Sequence, residues 1–499
     1  MRDVIGEGVA ETRRRASGYQ QRRLAPGRVK VAALLLAAVA LTVLTQSGAA
    51  EDLKHGEALL TRHCGACHAI GRSGDSPQRD APAFRELGQR YPVESLEEAH
   101  PTCRNSPLKP TMSVTSSLIS NPSSATNPAP EFCMSSALFS PYRLAGLELA
   151  NRIVVSPMCQ YSADDGCAND WHLMHYGMLA NSGAALVVVE ATHVERHGRI
   201  THGCLGLYND ANESALGRVL TAVRRVGSAK WGIQFAHSGR KGSAQRPWEG
   251  GGPLKPEADP WPTIAASSIP FGDNWHNPRE MTEADMARVR EAFVTAAKRA
   301  LRIGFDMVEL HFAHGYLAHG FMSPISNKRA DQYGGSLENR LRFPLSIARA
   351  VRFVVPKEVP LGARITGSDW REGGLSPDDA VAISKKLKAE NIDFICISSG
   401  GITADTRNPA EPGYNVSIAA RVKNEAGLPT RTVGLIAKPE HAESMVAQGR
   451  VDLVSMARCF LDDPHWGWHA AKALGGEVAR PPQYQRAGPK LWAPAAAKV

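Results

Sequence analysis

The chain has 499 residues, too many for one average domain, with 43% hydrophobic and 21% charged side chains. That composition excludes a wholly disordered, collagen-like or polytopic membrane chain. Nine cysteines, an odd number without framework spacing, argue against a disulfide scaffold. Of the net charge of +9, residues 1–30 carry +5 (Arg2, Arg13, Arg14, Arg15, Arg22, Arg23, Arg28 and Lys30 against Asp3, Glu7 and Glu11). The remaining +4 is spread over 469 residues, so no nucleic-acid partner is expected. Val31 to Leu44 is an apolar run of 14 residues followed by Ser47, Gly48, Ala49 and Ala50, the layout of a secretory signal. A bilayer span needs about 20 apolar residues, so residues 1–50 read as an export signal, with an uncleaved anchor touching a membrane through residues 31–44 as the alternative.

Residues 51–100 form a second block, with a helical pattern from His55 to Arg62 and then His63-Cys64-Gly65-Ala66-Cys67-His68. This is the attachment pattern of a c-type haem: Cys64 and Cys67 reach the two vinyl groups and His68 becomes the proximal iron ligand. The block resembles a partial class I cytochrome c, a small all-α unit, in Gly56-Glu57-Ala58-Leu59-Leu60 and Tyr91-Pro92-Val93-Glu94-Ser95-Leu96. The Met-Pro segment that supplies that family's second axial ligand is missing. In its place stands His100-Pro101-Thr102-Cys103-Arg104-Asn105-Ser106, followed by a Ser/Pro/Thr/Asn-rich stretch. Residues 101–137 therefore read as a disordered linker. One added base after the Pro101 codon can restore a Met-Pro pair, so this stretch also reads as a frame-shifted cytochrome tail joined to a unit starting at Met134.

From Leu138 onward short β-branched runs alternate with longer helical patterns. Strands are expected at Arg152 to Ser156, Ala185 to Glu190, Trp231 to Ala236, Met307 to Phe312, Leu361 to Ile365, Phe394 to Ser399, Thr432 to Ile436 and Asp452 to Arg458. Eight buried strands alternating with helices predict an α/β fold, a (β/α)8 TIM barrel. Catalytic groups in such barrels sit where the strands end, and the ends here carry Cys159, Tyr161, Glu190, Gln234, His237, His311, His314, Arg364, Ser398, Ser399, Gly434 and Arg458.

Four strings decide among the chemistries such ends allow: Asn151 to Tyr161 (NRIVVSPMCQY), Gln234 to Lys241 (QFAHSGRK), His311 to Leu317 (HFAHGYL), and Ser326 to Arg340 with its Asp331-Gln332-Tyr333-Gly334-Gly335-Ser336. Through them residues 138–487 resemble the Old Yellow Enzyme family of flavin-dependent ene-reductases, in its thermophilic-like and xenobiotic-reductase branch. The resemblance implies a barrel holding FMN without a covalent link, reduced by NADPH or NADH. It implies flavin contacts at Ser156, Pro157, Met158, Cys159, Ala191, Gln234, Arg364, Gly434 and Arg458, with Cys159 a redox modulator, not a nucleophile. Independently of it, Gly434 and Arg458 stand where barrels commonly bind phosphate; given the flavin the resemblance implies, Gln234 offers a donor and an acceptor to its pyrimidine edge and Arg364 can stabilise its reduced, anionic form. The family usually has Gly where Ala457 precedes Arg458.

His311 and His314 read either as a metal pair or as hydrogen-bond donors to a carbonyl oxygen. The absence of a third ligand in register favours the donors, which stabilise enolate charge. Tyr316 is the expected proton donor, with Tyr161 adding a substrate hydrogen bond. The implied reaction is ping-pong reduction of the C=C bond of an α,β-unsaturated carbonyl compound. Gln483-Tyr484-Gln485-Arg486 resembles the segment through which the same branch lends an Arg to the active site of a neighbouring subunit; the resemblance implies a homodimer or larger with Arg486 in that part, and residues 488–499 form a tail beyond it. The barrel is expected in the cytoplasm. The competing reading is a haem–flavin electron-transfer fusion at the membrane or in the periplasm. A third, a larger flavoprotein of the dienoyl-CoA reductase type, requires an iron–sulfur cysteine cluster that does not follow the barrel pattern here.

Overall fold

A computed structural model of the chain describes residues 136–488 and 491–492. The apolar run at 31–44, the haem motif Cys64, Cys67 and His68, and Met134 lie outside the described residues. Eight parallel strands close into a barrel: β1 (Ile153–Val155), β2 (Leu186–His193), β3 (Lys230–Ala236), β4 (Met307–Phe312), β5 (Leu361–Thr366), β6 (Phe394–Ser398), β7 (Thr430–Thr432) and β8 (Leu453–Met456), each beside its sequence neighbour and β8 back beside β1. Seven of the eight are buried along their whole length, and only Lys230 at the head of β3 is exposed, as a parallel sheet walled by helices requires.

One major helix follows each strand: α1 (Asp170–Ala180), α2 (Asp210–Val226), α3 (Glu283–Ile303), α4 (Leu337–Val354), α5 (Pro377–Ala389), α6 (Val416–Ala426), α7 (Pro439–Ala447) and α8 (Trp466–Leu474). Their ends are written locally. Thr282 caps α3 reciprocally with Asp285, and Ser376 caps α5 with Asp379 just before Pro377. The face of α3 that meets the sheet is apolar: Met286, Val289, Phe293, Ala296, Ala297 and Ala300 are buried. Among the described residues no helix is long and apolar enough to cross a membrane.

Before β1 a hairpin, Tyr142–Leu144 paired with Leu147–Leu149, lies across the N-terminal end of the barrel. Its Leu144, Leu147 and Leu149 pack with Val154, Leu186, Val188, Met307, Phe394 and Leu453, four of which open their strands, and so fill the bottom of the lumen. The hairpin turn is fastened where Gly146 N–H donates to the Glu358 carbonyl (3.1 Å).

Three strands differ from the sequence pattern by two or more residues at an end. β7 stops at Thr432, not Ile436, because Gly434 (φ 135°) and Leu435 (φ 53°) have left-handed backbone that cannot continue a ladder. β8 ends at Met456, which leaves Arg458 at the start of a short helix, Arg458–Asp462. β2 continues to His193 through a register shift between Val189 and Ala191, so that Glu190 is a bulge residue and Ala191 pairs with Gln234.

Candidate active site

The C-terminal rim is built around the turn that follows β4. His311, the next-to-last residue of the strand, is almost fully buried at 5% exposure, and its Nδ1 accepts from the Ala313 N–H (3.3 Å). A neutral ring in that contact carries its proton on Nε2. His314 has a left-handed backbone (φ 61°), and Gly315 follows at φ 74°. A Cβ on Gly315 would meet the Gly401 carbonyl oxygen at 2.2 Å, so the turn accepts only glycine there. Every part of the turn is tied: His314 N–H donates to Thr366 Oγ1 (3.1 Å), Gly315 N–H to His319 Nδ1 (2.7 Å), and His314 Nε2 lies 2.6 Å from Ser398 Oγ. His319 is fixed in turn by buried Asp369, 3.0 Å from its Nε2. Burial alone would raise the Asp369 carboxyl, but His319 and the donors from Leu375 and Ser323 hold it below the usual range.

The rings of His311 and His314 meet edge to face at 5.0 Å, and the Tyr316 ring lies 5.0 Å from His311 and 6.5 Å from His314. Burial, followed by the charges of Arg364 and Lys241 and by the facing imidazole in the case of His311, pushes both histidines well below 6.5, so both are neutral at physiological pH. Burial, followed by Cys159 and Cys204, pushes the Tyr316 phenol well above 10, so it keeps its proton. Lys241 was not singled out from sequence as a site residue. Its ammonium donates to the carbonyls of His314 (2.8 Å) and Gly401 (3.2 Å) and stands 4.9 Å from the centre of the Tyr316 ring. Burial lowers it to about 7.

The loop after β1 forms the opposite wall. Cys159 and Tyr161 pack with Tyr316, Trp275, Ile200, Cys204 and Ala244 in one small apolar cluster. Tyr161 is held at φ 51° with its carbonyl accepting from Arg246 Nε (2.9 Å), and its phenol is raised by Cys159 first and burial second. Burial raises the Cys159 thiol well above its ordinary value, which suits a contact residue better than a nucleophile. The loop is pinned to β2 by Gln160 N–H donating to the buried Glu190 carboxyl (2.8 Å), which also accepts from Tyr176 OH (3.1 Å).

Residues 137–476 match the model of the NADH:flavin oxidoreductase / NADH oxidase family. The chain belongs to this family. It is an FMN-dependent oxidoreductase of the Old Yellow Enzyme type. The oxidoreductase is 42% identical over 355 residues to an NADPH dehydrogenase of Geobacillus thermodenitrificans (strain NG80-2), an alignment covering 71% of this chain and 99% of the relative. It is 40% identical over 354 residues to an NADPH dehydrogenase of Listeria innocua serovar 6a, covering 70% and 99%. Among solved structures, morphinone reductase superposes with a TM-score of 0.58 at 25% identity, over 70% of this oxidoreductase and 93% of that chain.

The residues of the rim fit a flavin. Arg364, 5% exposed, has a buried Nη2 with no hydrogen-bond partner among the described residues, a donor left for a ligand to satisfy. Gln234 donates from Nε2 to Glu309 (2.7 Å), which leaves its carbonyl and second N–H for a pyrimidine edge. Ala191 stands beside Gln234 on the neighbouring strand, and Ser156 Oγ joins Ser455 Oγ across β1 and β8 (2.7 Å). Pro157 is half-buried, and Met158 packs against the main core. At the far side Gly434 makes a cradle that a Cβ would close against Tyr414 (3.1 Å). Arg458 is exposed, with no hydrogen bond or ion pair among the described residues. Arg486 is likewise exposed, in the short helix Pro482–Ala487, with no hydrogen bond or ion pair among the described residues.

Proposed function

We propose that this oxidoreductase is an NAD(P)H-dependent ene-reductase that reduces the C=C bond of α,β-unsaturated carbonyl compounds in a ping-pong cycle. The observation that carries the reading is the convergence of two neutral imidazoles and a protonated phenol on one patch of the barrel mouth. The names of the Geobacillus and Listeria relatives support NADPH as the reductant. When bound, FMN would supply the two-electron redox chemistry that links the nicotinamide to the β carbon of the enone.

The chain's own residues do the rest. Gln234, Ala191, Ser156, Pro157, Met158 and Cys159 hold the ring system, and Gly434 and Arg458 hold its phosphate. Arg364 places a guanidinium against the pyrimidine end, where charge accumulates on reduction. His311 donates from Nε2–H to the substrate oxygen. His314, with Ser398 donating to its Nε2, donates from Nδ1–H to the same atom. Two donors fixed before substrate arrives stabilise the developing enolate without reorganisation. Tyr316 then passes its phenolic proton to the α carbon, and Tyr161 orients the substrate from the opposite wall. Arg486 of a second copy completes the substrate pocket in a homodimer or larger assembly, and the barrel works in the cytoplasm.

A second reading, a haem–flavin electron-transfer fusion outside the cytoplasm, draws on Cys64, Cys67 and His68. One experiment separates the two. The full-length chain, co-expressed with haem-maturation enzymes, is examined by absorption before and after anaerobic NADPH and again after 2-cyclohexenone. Flavin bands that bleach with NADPH, return with the enone and yield the saturated ketone are expected. A chain without flavin bands, or one whose reduced flavin ignores the enone, sinks the ene-reductase reading. A covalent haem band that NADPH reduces establishes the fusion.

A further inference from the structure

Two fully buried charges take no part in the chemistry described above: Glu309 on β4 and Arg431 on β7, both 0% exposed. An Arg431 Nη2 hydrogen donates to Glu309 Oε2. β4 and β7 are not neighbours in the barrel, so this contact crosses the lumen. The other carboxylate oxygen, Oε1, accepts from Gln234 Nε2 (2.7 Å) and lies 3.8 Å from Arg364 Nε. Arg364 Nε itself donates to Cys396 Sγ (3.3 Å), and Cys396 is the register partner of both Arg364 and Arg431. One carboxylate thus bridges the two side chains that face the pyrimidine end of the flavin and ties them to a second, deeper guanidinium.

The cluster carries two positive charges and one negative on side chains buried from solvent. A buried charge is strongly disfavoured unless a partner offsets it. Glu309 offsets only one of the two charges, and Nη2 of Arg364 and Nε and Nη1 of Arg431 have no hydrogen-bond partner among the described residues. Two-electron reduction of an isoalloxazine with uptake of one proton adds one negative charge to the ring system, and the surplus positive charge favours that state. We propose that Glu309 and Arg431 are positioning residues that set the reduction potential of the bound flavin from inside the barrel. Glu309 aims Gln234 and Arg364 at the ring and attenuates the charge of Arg364, while Arg431 holds Glu309 in place and restores the positive surplus. The inference rests on FMN occupying the barrel mouth.

The test is the midpoint potential of the flavin in the holoenzyme, measured by equilibrium reduction against a reference dye for the unsubstituted protein, Glu309→Gln, Arg431→Met and Arg431→Lys. Glu309→Gln keeps the shape and a hydrogen-bonding amide but removes the negative charge, so it shifts the couple toward reduced flavin. Arg431→Met removes the deeper cation and shifts it the other way. Each shift is expected at about tenfold in the reduced-to-oxidised ratio at fixed potential, about 30 mV for a two-electron couple. Arg431→Lys keeps the charge and stays near the unsubstituted value. Potentials that do not move, or that move in the same direction in Glu309→Gln and Arg431→Met, overturn the proposal, because a merely structural role predicts no opposition of sign. Should Arg431→Met fail to hold flavin, Glu309→Gln and Arg431→Lys decide. An unsubstituted protein that binds no FMN overturns the proposed function as well, whereas one that binds FMN with potentials indifferent to these residues overturns only the present inference.

Discussion

The two sides of the barrel mouth are built on opposite plans. Around His311, His314 and Tyr316 the protein supplies its own partners: Thr366, Ser398, His319 and Lys241 fix the turn through bonds of 2.6–3.1 Å. At the other side Gly434 has a left-handed backbone and Arg458 is exposed and unpaired among the described residues. The first side is preorganised, as a group that must meet a fleeting charge has to be. The second is left for a permanent ligand to complete, and a permanent ligand can contribute the stabilisation itself.

The contrast can be broken from either side. Tyr316→Phe is expected to slow the reaction with an enone by about 10²–10⁴-fold while leaving flavin reduction by NADPH unchanged, because only the proton donor is lost. Rapid-mixing kinetics of the two half-reactions check it, and equal slowing of both contradicts the assigned role. Next in size is a pH effect at Glu190. Burial raises its carboxyl from 4.5 to about 8 against the hydrogen bonds from Gln160 and Tyr176. Between those values the folded chain holds a proton that the unfolded chain has released, so stability falls as pH rises from 4.5 through 8. Glu190→Gln removes that slope, a change on the order of a few kcal/mol across the window, read by urea unfolding at several pH values.

Arg458→Ala sharpens the comparison from the ligand side. It is expected to weaken FMN binding by about 10–100-fold, the worth of a hydrogen bond to a charged group, as read by titration of released flavin. The stability of the flavin-free chain should stay within about 0.5 kcal/mol, because no hydrogen bond or ion pair is lost among the described residues. The smallest effect is Ser398→Ala, which frees the His314 ring. A loss of about 1 kcal/mol, roughly fivefold in kcat/KM for the enone, is expected with the flavin potential unchanged.

These features were unequally visible in the sequence. The strand Met307–Phe312 and the rim residues after it were legible because a short, mostly apolar run carries His311 near its end and His314 just beyond, a change of chemistry at a strand end. β7 was displaced toward Gly434 and Leu435 because an apolar run cannot report a left-handed backbone. The hairpin Tyr142–Leu149 went unread, its two strands being three residues each and held by packing against the barrel floor. Glu309 and Arg431 were hidden for a different reason. A charged residue inside a strand reads as solvent-facing, and only closure of the barrel brings strands four and seven within reach of each other. Lys241 lay inside a quoted string, yet its part in holding His314 depends on a loop whose path no periodicity encodes.

The leucine-lined hairpin beneath the strands has a kinetic corollary. With the floor sealed by Leu144, Leu147 and Leu149, the lumen is a cup with a single rim, and whatever reaches the ring must enter and leave past the same lip. On the proposed reaction nicotinamide and enone would compete for one berth, and a surplus of either would crowd out the other. Rates that rise and then fall as either substrate is raised, with the fall relieved by adding its counterpart, are the signature of such a one-doored vessel.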